Sequence, residues 1–269
     1  MICQDLEEAK EAVHSIMEDK IFGASGNQVV VEEFITGPEV SVLSFTDGKT
    51  VVPMVSSKDH KRAYDGDRGL NTGGMGTISP NPHYSGEMAQ RCMKEIFQPT
   101  IDAMREEGRP FQGCLYFGLM LTQDGPKVIE YNSRFGDPET QVVLPRLKTD
   151  LVEILEACID GTLKELDIQW SDEAAACVVM ASGGYPKSYP KGIEIKGLDE
   201  NGQISGATVY HAGTVYRDGR FFTNGGRVLG VTACGAGLDE ALEKAYDAVE
   251  RISFDGAHYR KDIGKIGIQ

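Results

Sequence analysis

The chain has little of several things, and each shortage closes off a class of protein. It has no Cys-x-x-Cys pair; its six cysteines (Cys3, Cys92, Cys114, Cys158, Cys177, Cys234) are scattered, which argues for free buried thiols over a disulfide frame or a zinc site. Its longest apolar run, Ala174 to Ala181, is far too short to span a bilayer. Met1 to Asp5 lead straight into an acidic helical pattern, which reads as no signal peptide. Cations are scarce: 27 Lys and Arg stand against 41 Asp and Glu, a net charge of −14. Such a surface repels nucleic acid and anionic membrane, so neither is an expected partner, and the expected location is the cytoplasm. A phosphate can still bind, but only in a pocket that gathers the few Lys and Arg. Their positions therefore deserve tracking.

What is present is ordinary: 41% apolar and 25% charged residues over 269 positions, enough for one large or two modest domains. Asp5 reads as an N-cap with Glu8 as a partial capping box, and Leu6, Ala9, Val13, Ile16 and Met17 recur at helical spacing. Two β-rich runs follow, 28–34 and 39–46, then Asp47-Gly48 and a third run at 50–55; Asp-Gly between apolar runs predicts a hairpin. Residues 56–83 read as a long loop, a length that a compact domain seldom carries without function. A helix over 85–107 precedes a second hairpin, 112–121 and 127–132 around Asp124-Gly125. Helical pattern resumes over 139–160. Beyond Trp170, short apolar stretches at 174–182, 192–196, 205–211, 214–216 and 227–233 alternate with Gly-rich turns, and a helix over 238–252 follows. The boundary between two domains falls near 166–170.

The sharpest local signal is Val128-Ile129-Glu130-Tyr131-Asn132-Ser133-Arg134. Alternation on a strand puts Glu130, Asn132 and Arg134 on one face, aligning a carboxylate, an amide oxygen and a guanidinium. Two oxygen donors suit a hard cation such as Mg²⁺, and the arginine can clamp a carboxylate or phosphoryl oxygen. Spacing alone is equally consistent with a solvated strand face. Next, Asp137 and Glu139 flank Pro138 and read either as proton acceptors or as N-caps of the following helix. The long loop gathers His60, Lys61, Arg62 and Arg68, then Asn71, Gly73, Gly74 and Gly76, whose backbone amides can converge on an anion. Gly225-Gly226-Arg227 and Arg260-Lys261 either border a site or form a β-bulge and a solvated tail. His14, His83, His211 and His258 read as structural.

Glu-x-Asn-x-Arg at the end of a hairpin strand is similar to the metal-binding signature of ATP-grasp ligases, biotin carboxylase among them. Continued as Phe135-Gly136-Asp137-Pro138-Glu139, it resembles the glycinamide ribonucleotide synthetases (phosphoribosylamine–glycine ligases). Further blocks in order agree: Asp59-His60-Lys61-Arg62, Asn71 to Gly76, Gly183-Gly184-Tyr185-Pro186, His211 to Thr214, Asn224 to Val228, and Tyr259 to Gly264. The resemblance implies an α+β protein. Residues 1–165 would form most of an ATP-grasp domain, an antiparallel sheet with flanking helices, and residues 166–269 a small β-rich domain. It implies ATP-dependent ligation of glycine to 5-phosphoribosylamine through glycyl phosphate, with Mg²⁺ or Mn²⁺ on Glu130 and Asn132. Arg134, Asp137 and Glu139 would then be catalytic, Val31, Glu32, Glu33, Phe34 and Glu39 would hold adenine and ribose, and Lys61, Arg62, Asn71, Gly73, Gly74 and Arg227 would contact substrate.

Two departures qualify the resemblance. The strand Leu115 to Leu121 offers no acidic metal ligand, unlike that of many ATP-grasp enzymes. The family's N-terminal nucleotide-fold domain and its lysine-bearing flap have no counterpart ahead of the first helix. Lys10 and Lys20 do not replace them. The expectation is therefore that this chain alone has little activity and that its partner is the missing N-terminal segment of the same enzyme. The competing readings are another ATP-grasp ligase of purine metabolism and a non-catalytic ATP-binding or interaction module.

Overall fold

The computed structural model describes residues 1–265, and the last positions of the 166–269 region lie outside the described residues. Two compact units are present, 1–37 and 38 onward. In the first, α1 (Leu6–Met17) is capped as expected, with the Asp5 carboxylate accepting from the Glu8 amide. Glu8 returns the favour one residue earlier than a capping box would, accepting from Gln4 N at 2.8 Å. A 3₁₀ turn follows (Gly23–Asn27), where a Cβ on Gly26 would collide with the Ile16 carbonyl. The run 28–34, read as β-rich, lies in no strand. β-branched composition favours a pleated surface only where a neighbouring strand completes the ladder.

The second unit opens with β1 (Glu39–Asp47), which turns into β2 (Val51–Pro53). Asp47 makes that turn with its side chain, accepting from Lys49 N at 2.9 Å and Thr50 N at 2.7 Å, while Gly48 takes φ +87. The predicted long loop resolves into four short strands, β3 (Lys58–Asp59), β4 (Arg62–Tyr64), β5 (Arg68–Asn71) and β6 (Gly76–Ser79). The next helix starts at the Ser85 cap as α2 (Gly86–Cys92) and ends as α3 (Gln98–Glu106), with a π turn between them (Met93–Phe97). Pro99 cannot donate to residue 95, and the ladder widens just ahead of it, Gln98 N bonding to the Met93 carbonyl. β7 (Gln112–Thr122) and β8 (Gly125–Asn132) form the second hairpin, as read.

The predicted 139–160 helix is broken. α4 (Thr140–Val143) runs into a 3₁₀ turn at Pro145, and α5 (Leu151–Asp160) restarts on an Asp150 cap. Then come β9 (Ala174–Ala181), β10 (Glu194–Ile195), β11 (Thr208–His211), β12 (Thr214–Arg217), β13 (Arg220–Thr223), β14 (Arg227–Gly235) and α6 (Leu238–Glu250).

β2-β1-β7-β8 form one antiparallel sheet and β11-β14-β9-β6-β3 another. Side-chain alternation sorts each strand between two cores. Val40 and Val42, with Leu115, Phe117 and Leu119, pack against Phe97 and Ile101 of the α2–α3 layer. Leu43, Phe45 and Tyr116 join Val142, Ile154 and Cys158 on the other face, where Ala175 and Cys177 of β9 also arrive. The opposite face of β9 packs Val178 and Met180 against Ala241, Ala245 and Val249 of α6. Each buried aliphatic or aromatic side chain is worth about 1.5–3 kcal/mol, which pins the strand registers. The five-stranded sheet takes β3 and β6 from 58–79, so it runs across the 165/166 division read from the sequence.

Candidate functional site

The site gathers at the end of the β7–β8 hairpin. Tyr131 turns to the helical face, its ring 5.5 Å from Phe117 and its hydroxyl 3.1 Å from Thr100 Oγ1. Its neighbours Glu130 and Asn132 therefore face the other way. Glu130 sits opposite Gly118 in the ladder, where a Cβ would fall 2.8 Å from Glu130 Cγ; the absent side chain is the room the carboxylate occupies. The Asn132 amide oxygen accepts from Arg134 Nη2 at 3.4 Å, and Arg134 Nη1 donates to the Phe135 carbonyl at 2.9 Å. Glu130 and Arg134 are exposed and Asn132 half-buried, so the row opens outward.

Lys61 joins this row. Its ammonium lies 3.2 Å from Glu39 Oε2 and 3.8 Å from Glu130 Oε1. Burial pulls the Lys61 pKa down, but Glu39 and Glu130 outweigh that and hold it above the usual value. Behind it lie two acids, half-buried Asp59 and buried Glu139. Burial, then the Glu139 charge, push Asp59 well above the ordinary carboxylate range, against the pull of the His60 amide, Lys61 and Arg227. Burial also raises Glu139, whose Oε1 accepts from Tyr116 OH at 3.2 Å and Ser41 Oγ at 3.4 Å. Glu139 heads α4 but makes no side-chain cap, so its partners are in the interior.

Gly73 and Gly74 close over this pair. A Cβ on Gly74 (φ +111) would fall 2.6 Å from Asp59 Oδ1 and 2.5 Å from Pro138 Cδ, and one on Gly73 would fall 3.0 Å from Arg227 Cζ. Arg227 fastens the loop: its Nη1 donates to the Gly73 carbonyl at 2.7 Å and the Asp137 carbonyl at 2.9 Å, and lies 3.1 Å from Asp137 Oδ1. The bulge reading of this stretch also holds, since the β14–β9 register shifts between Arg227 and Leu229. Asp137 Oδ1 additionally accepts from Gln141 Nε2 at 3.0 Å. Arg62 bonds its own hairpin, Nη1 to the Gly69 carbonyl at 2.9 Å, opposite exposed Asn71. Val31 to Phe34 belong to the smaller unit and are exposed.

Sequence reasoning missed Asp59, Tyr116 and Ser41 as site residues, and Tyr185, whose hydroxyl accepts from Gly73 N at 3.1 Å. Asp59 stood inside the Asp59–Arg62 block, but nothing in its spacing signals burial. Chemically, the arrangement offers oxygen donors, an exposed guanidinium, a half-buried ammonium and two acids set deeper, Asp59 and Glu139. Among the described residues no cluster of three or more His, Cys, Asp or Glu could hold a metal by itself. Glu130 and Asn132 fit a Mg²⁺-type ion that takes its remaining ligands from phosphates and water.

A hairpin presenting Glu-x-Asn-x-Arg from an antiparallel sheet, with helices behind it, defines a protein of the ATP-grasp class. The family model described as phosphoribosylglycinamide synthetase, ATP-grasp (A) domain, matches residues 1–140, and that for the C domain of the same synthetase matches 175–266. The chain belongs to the phosphoribosylglycinamide synthetase family. The chain is 50% identical over 262 residues to a phosphoribosylamine–glycine ligase of Caldanaerobacter subterraneus, covering 97% of this chain and 62% of that protein. Its identity is 53% over 265 residues to the trifunctional purine biosynthetic protein adenosine-3 of Gallus gallus, covering 98% and 26%. The crystal structure of a phosphoribosylamine–glycine ligase from Thermotoga maritima superposes with a TM-score of 0.86 at 34% identity, covering 98% of this chain and 65% of that one. A biotin carboxylase domain of a 2-oxoglutarate carboxylase shares the fold, with a TM-score of 0.65 at 15% identity, covering 96% and 56%. The chain thus spans about 62% of the length of the single-function relative and about 26% of the trifunctional one. No helix among the described residues is long and apolar enough to cross a membrane.

Proposed function

We propose that the chain forms the carboxylate-activating part of an ATP-dependent ligase joining glycine to 5-phosphoribosylamine, with glycinamide ribonucleotide, ADP and phosphate as products. The observation that carries the reading is the row of Glu130, Asn132 and Arg134 opening onto the face where Lys61 lies between Glu39 and Glu130. Glu130 and Asn132 would hold a divalent cation, Mg²⁺ or Mn²⁺, by one carboxylate and one amide oxygen. When bound, such a cation would supply Lewis-acid neutralisation of phosphoryl charge.

The chain's own residues do the rest. Arg134 and Lys61, both beside the cation position, orient the glycine carboxylate, whose oxygen attacks the γ-phosphorus as the bond to ADP breaks. The amine of phosphoribosylamine then attacks the carbonyl carbon of glycyl phosphate, phosphate leaves, and the nitrogen gives up a proton. Asp137 is exposed and suited to accept that proton directly, while Glu139, buried and linked to Tyr116 and Ser41, shapes the field around it. Arg62 and Asn71 stand on the same rim as Gly73 and Gly74; the Gly73 and Gly74 amides already donate to Tyr185 and Thr72, so side chains and not these amides would hold a phosphate-bearing substrate there. In the smaller unit, the exposed Val31–Phe34 backbone offers an amide and a carbonyl for an adenine edge. The division at 165/166 and a cytoplasmic location belong to the same proposal, as does a requirement for the further part of the enzyme that the longer relatives carry.

The test is ADP formation dependent on both glycine and 5-phosphoribosylamine, with that further part of the Caldanaerobacter relative supplied in trans. Dependence on both substrates supports the reading. ADP formation that ignores glycine, or responds to a different carboxylate, contradicts it.

A further inference from the structure

The segment after α6 makes an unusually complete set of bonds to one hairpin. Arg260 is 1% exposed, the largest fully buried side chain of the fold. Its guanidinium grips Asp262 bidentately along one edge, Nε to Oδ1 and Nη2 to Oδ2, each at 2.7 Å. The remaining nitrogen, Nη1, reaches the β4–β5 hairpin, donating to Asp67 Oδ1 at 2.8 Å and the Arg62 carbonyl at 3.2 Å. Asp262 Oδ2 in turn accepts from Gly66 N at 2.8 Å, and Asp65 Oδ1 accepts from Lys261 N at 2.8 Å. His258 Nε2 lies 2.7 Å from the Ala63 carbonyl, with its ring edge-on to Tyr64 at 5.2 Å. Every residue from Arg62 to Asp67 is thus held by a group between His258 and Asp262.

A two-stranded hairpin is marginal in water on its own, and β4–β5 joins neither larger sheet. The path from this clamp to the site is short. Arg260 holds the Arg62 carbonyl, and the adjacent Lys61 carbonyl accepts from Thr72 N and Thr72 Oγ1, both at 2.8 Å. Thr72 Oγ1 accepts from Gly74 N at 3.0 Å. His60 closes the circuit with Gly264 N donating to its Nε2 at 3.2 Å.

We infer that Arg260 is a positioning residue: through Asp262 and Asp67 it fixes the β4–β5 hairpin, and thereby the Lys61–Gly74 rim that receives the phosphate-bearing substrate. This rests on the substrate reading above for the ligand, while the clamp stands on the geometry alone. A guanidinium is suited to the task because its planar fork satisfies two carboxylates and a carbonyl at once. A lysine at this position supplies charge without the fork.

The experiment uses the full chain with R260M, R260K and D67N, read by backbone hydrogen exchange and by binding of ribose 5-phosphate. The expected result is faster exchange at Gly66, Thr72 and Gly74 with the β1, β7 and β9 amides unchanged. Ribose 5-phosphate binding should weaken about tenfold or more in R260M, the scale of a lost charge-assisted hydrogen bond, and less in D67N. R260K should recover only part of it. Should R260M fail to fold, D67N and R260K carry the same readouts. Exchange confined to wild-type rates at Thr72 and Gly74 in the folded variants overturns the clamp. Unchanged ribose 5-phosphate binding overturns the positioning role. A wild-type chain that does not bind ribose 5-phosphate at all overturns the substrate reading, and the positioning role with it.

Discussion

Replacing Arg227 with methionine should detach the Gly73–Gly74 loop from Asp137 while keeping most of the side-chain volume. The Arg227 side chain is 21% exposed against 52% for Asp137, so the ion pair itself is screened and contributes at most about 1 kcal/mol. The two carbonyl bonds, at 2.7 and 2.9 Å, are charge-assisted, and they too lie where water has access. Such bonds are worth about 1.5–3 kcal/mol each, and water can reclaim part of that at a partly exposed site. The loss should therefore come to about 2–4 kcal/mol, visible as a fall in the urea midpoint at constant slope. A D137N variant should cost under about 1 kcal/mol, because the backbone carbonyl of residue 137 remains to accept. A loss below about 0.5 kcal/mol in R227M would refute the reasoning. It would mean that the loop holds its place without the guanidinium and leave Arg227 free for a ligand.

Three further outcomes follow from the same structure. G118A puts a methyl group 2.8 Å from Glu130 Cγ, against an ordinary carbon contact of about 3.5–4.0 Å, so the carboxylate must move by about 1 Å. Mn²⁺ affinity in the presence of ADP, read by calorimetry, should fall about tenfold or more while no ligand residue has changed. D59N and E139Q should each raise Tm at pH 7, since desolvation disfavours each acid as an anion and the Glu139 charge adds to this at Asp59. An acid with a raised folded pKa weighs on stability only above its unfolded value, so the gain should vanish below about pH 4. His60 moves the other way. Burial, outweighing the Gly76 carbonyl bond, lowers its pKa to about 4, so the folded state resists the proton that the unfolded chain accepts. Stability should fall by roughly 3 kcal/mol between pH 6.5 and 4 on this account, and H60Q should flatten that fall in urea titrations.

The two hairpins were legible because Asp-Gly turns and alternating apolar residues act locally, and the α1 cap for the same reason. The strand expected at 28–34 had the right composition but no ladder, which only neighbours supply. The long loop hid four strands because β6 pairs with distant β9 and β3 pairs with β6, while the short β4–β5 hairpin carries no alternating apolar pattern. β13 was missed although Asp218 (φ +50) and Gly219 (φ +75) form the very kind of turn that flagged the other hairpins. At the site, strand alternation accounts for the shared face of Glu130 and Asn132, whereas Arg134 lies in a bend past the end of β8 and reaches Asn132 by its side chain. The approach of Gly74 to Asp59 and the commitment of Arg227 to two backbone carbonyls could not be read from the sequence, since both depend on which loops meet. Arg260 shows the same limit: as a pair with Lys261 it read equally as the border of a site or a solvated tail, and only the folded chain surrounds it with Asp67 and Asp262.

Electron paramagnetic resonance of Mn²⁺ titrated into the chain with ADP, wild type against E130Q/N132L, addresses the oxygen pair at the hairpin end most directly. The wild type should bind Mn²⁺ in an ADP-dependent manner, and the double variant should lose that ADP-dependent binding while retaining its fold. Equal Mn²⁺ binding by the two proteins would place the cation elsewhere and remove the chemical basis of the proposed ligase site.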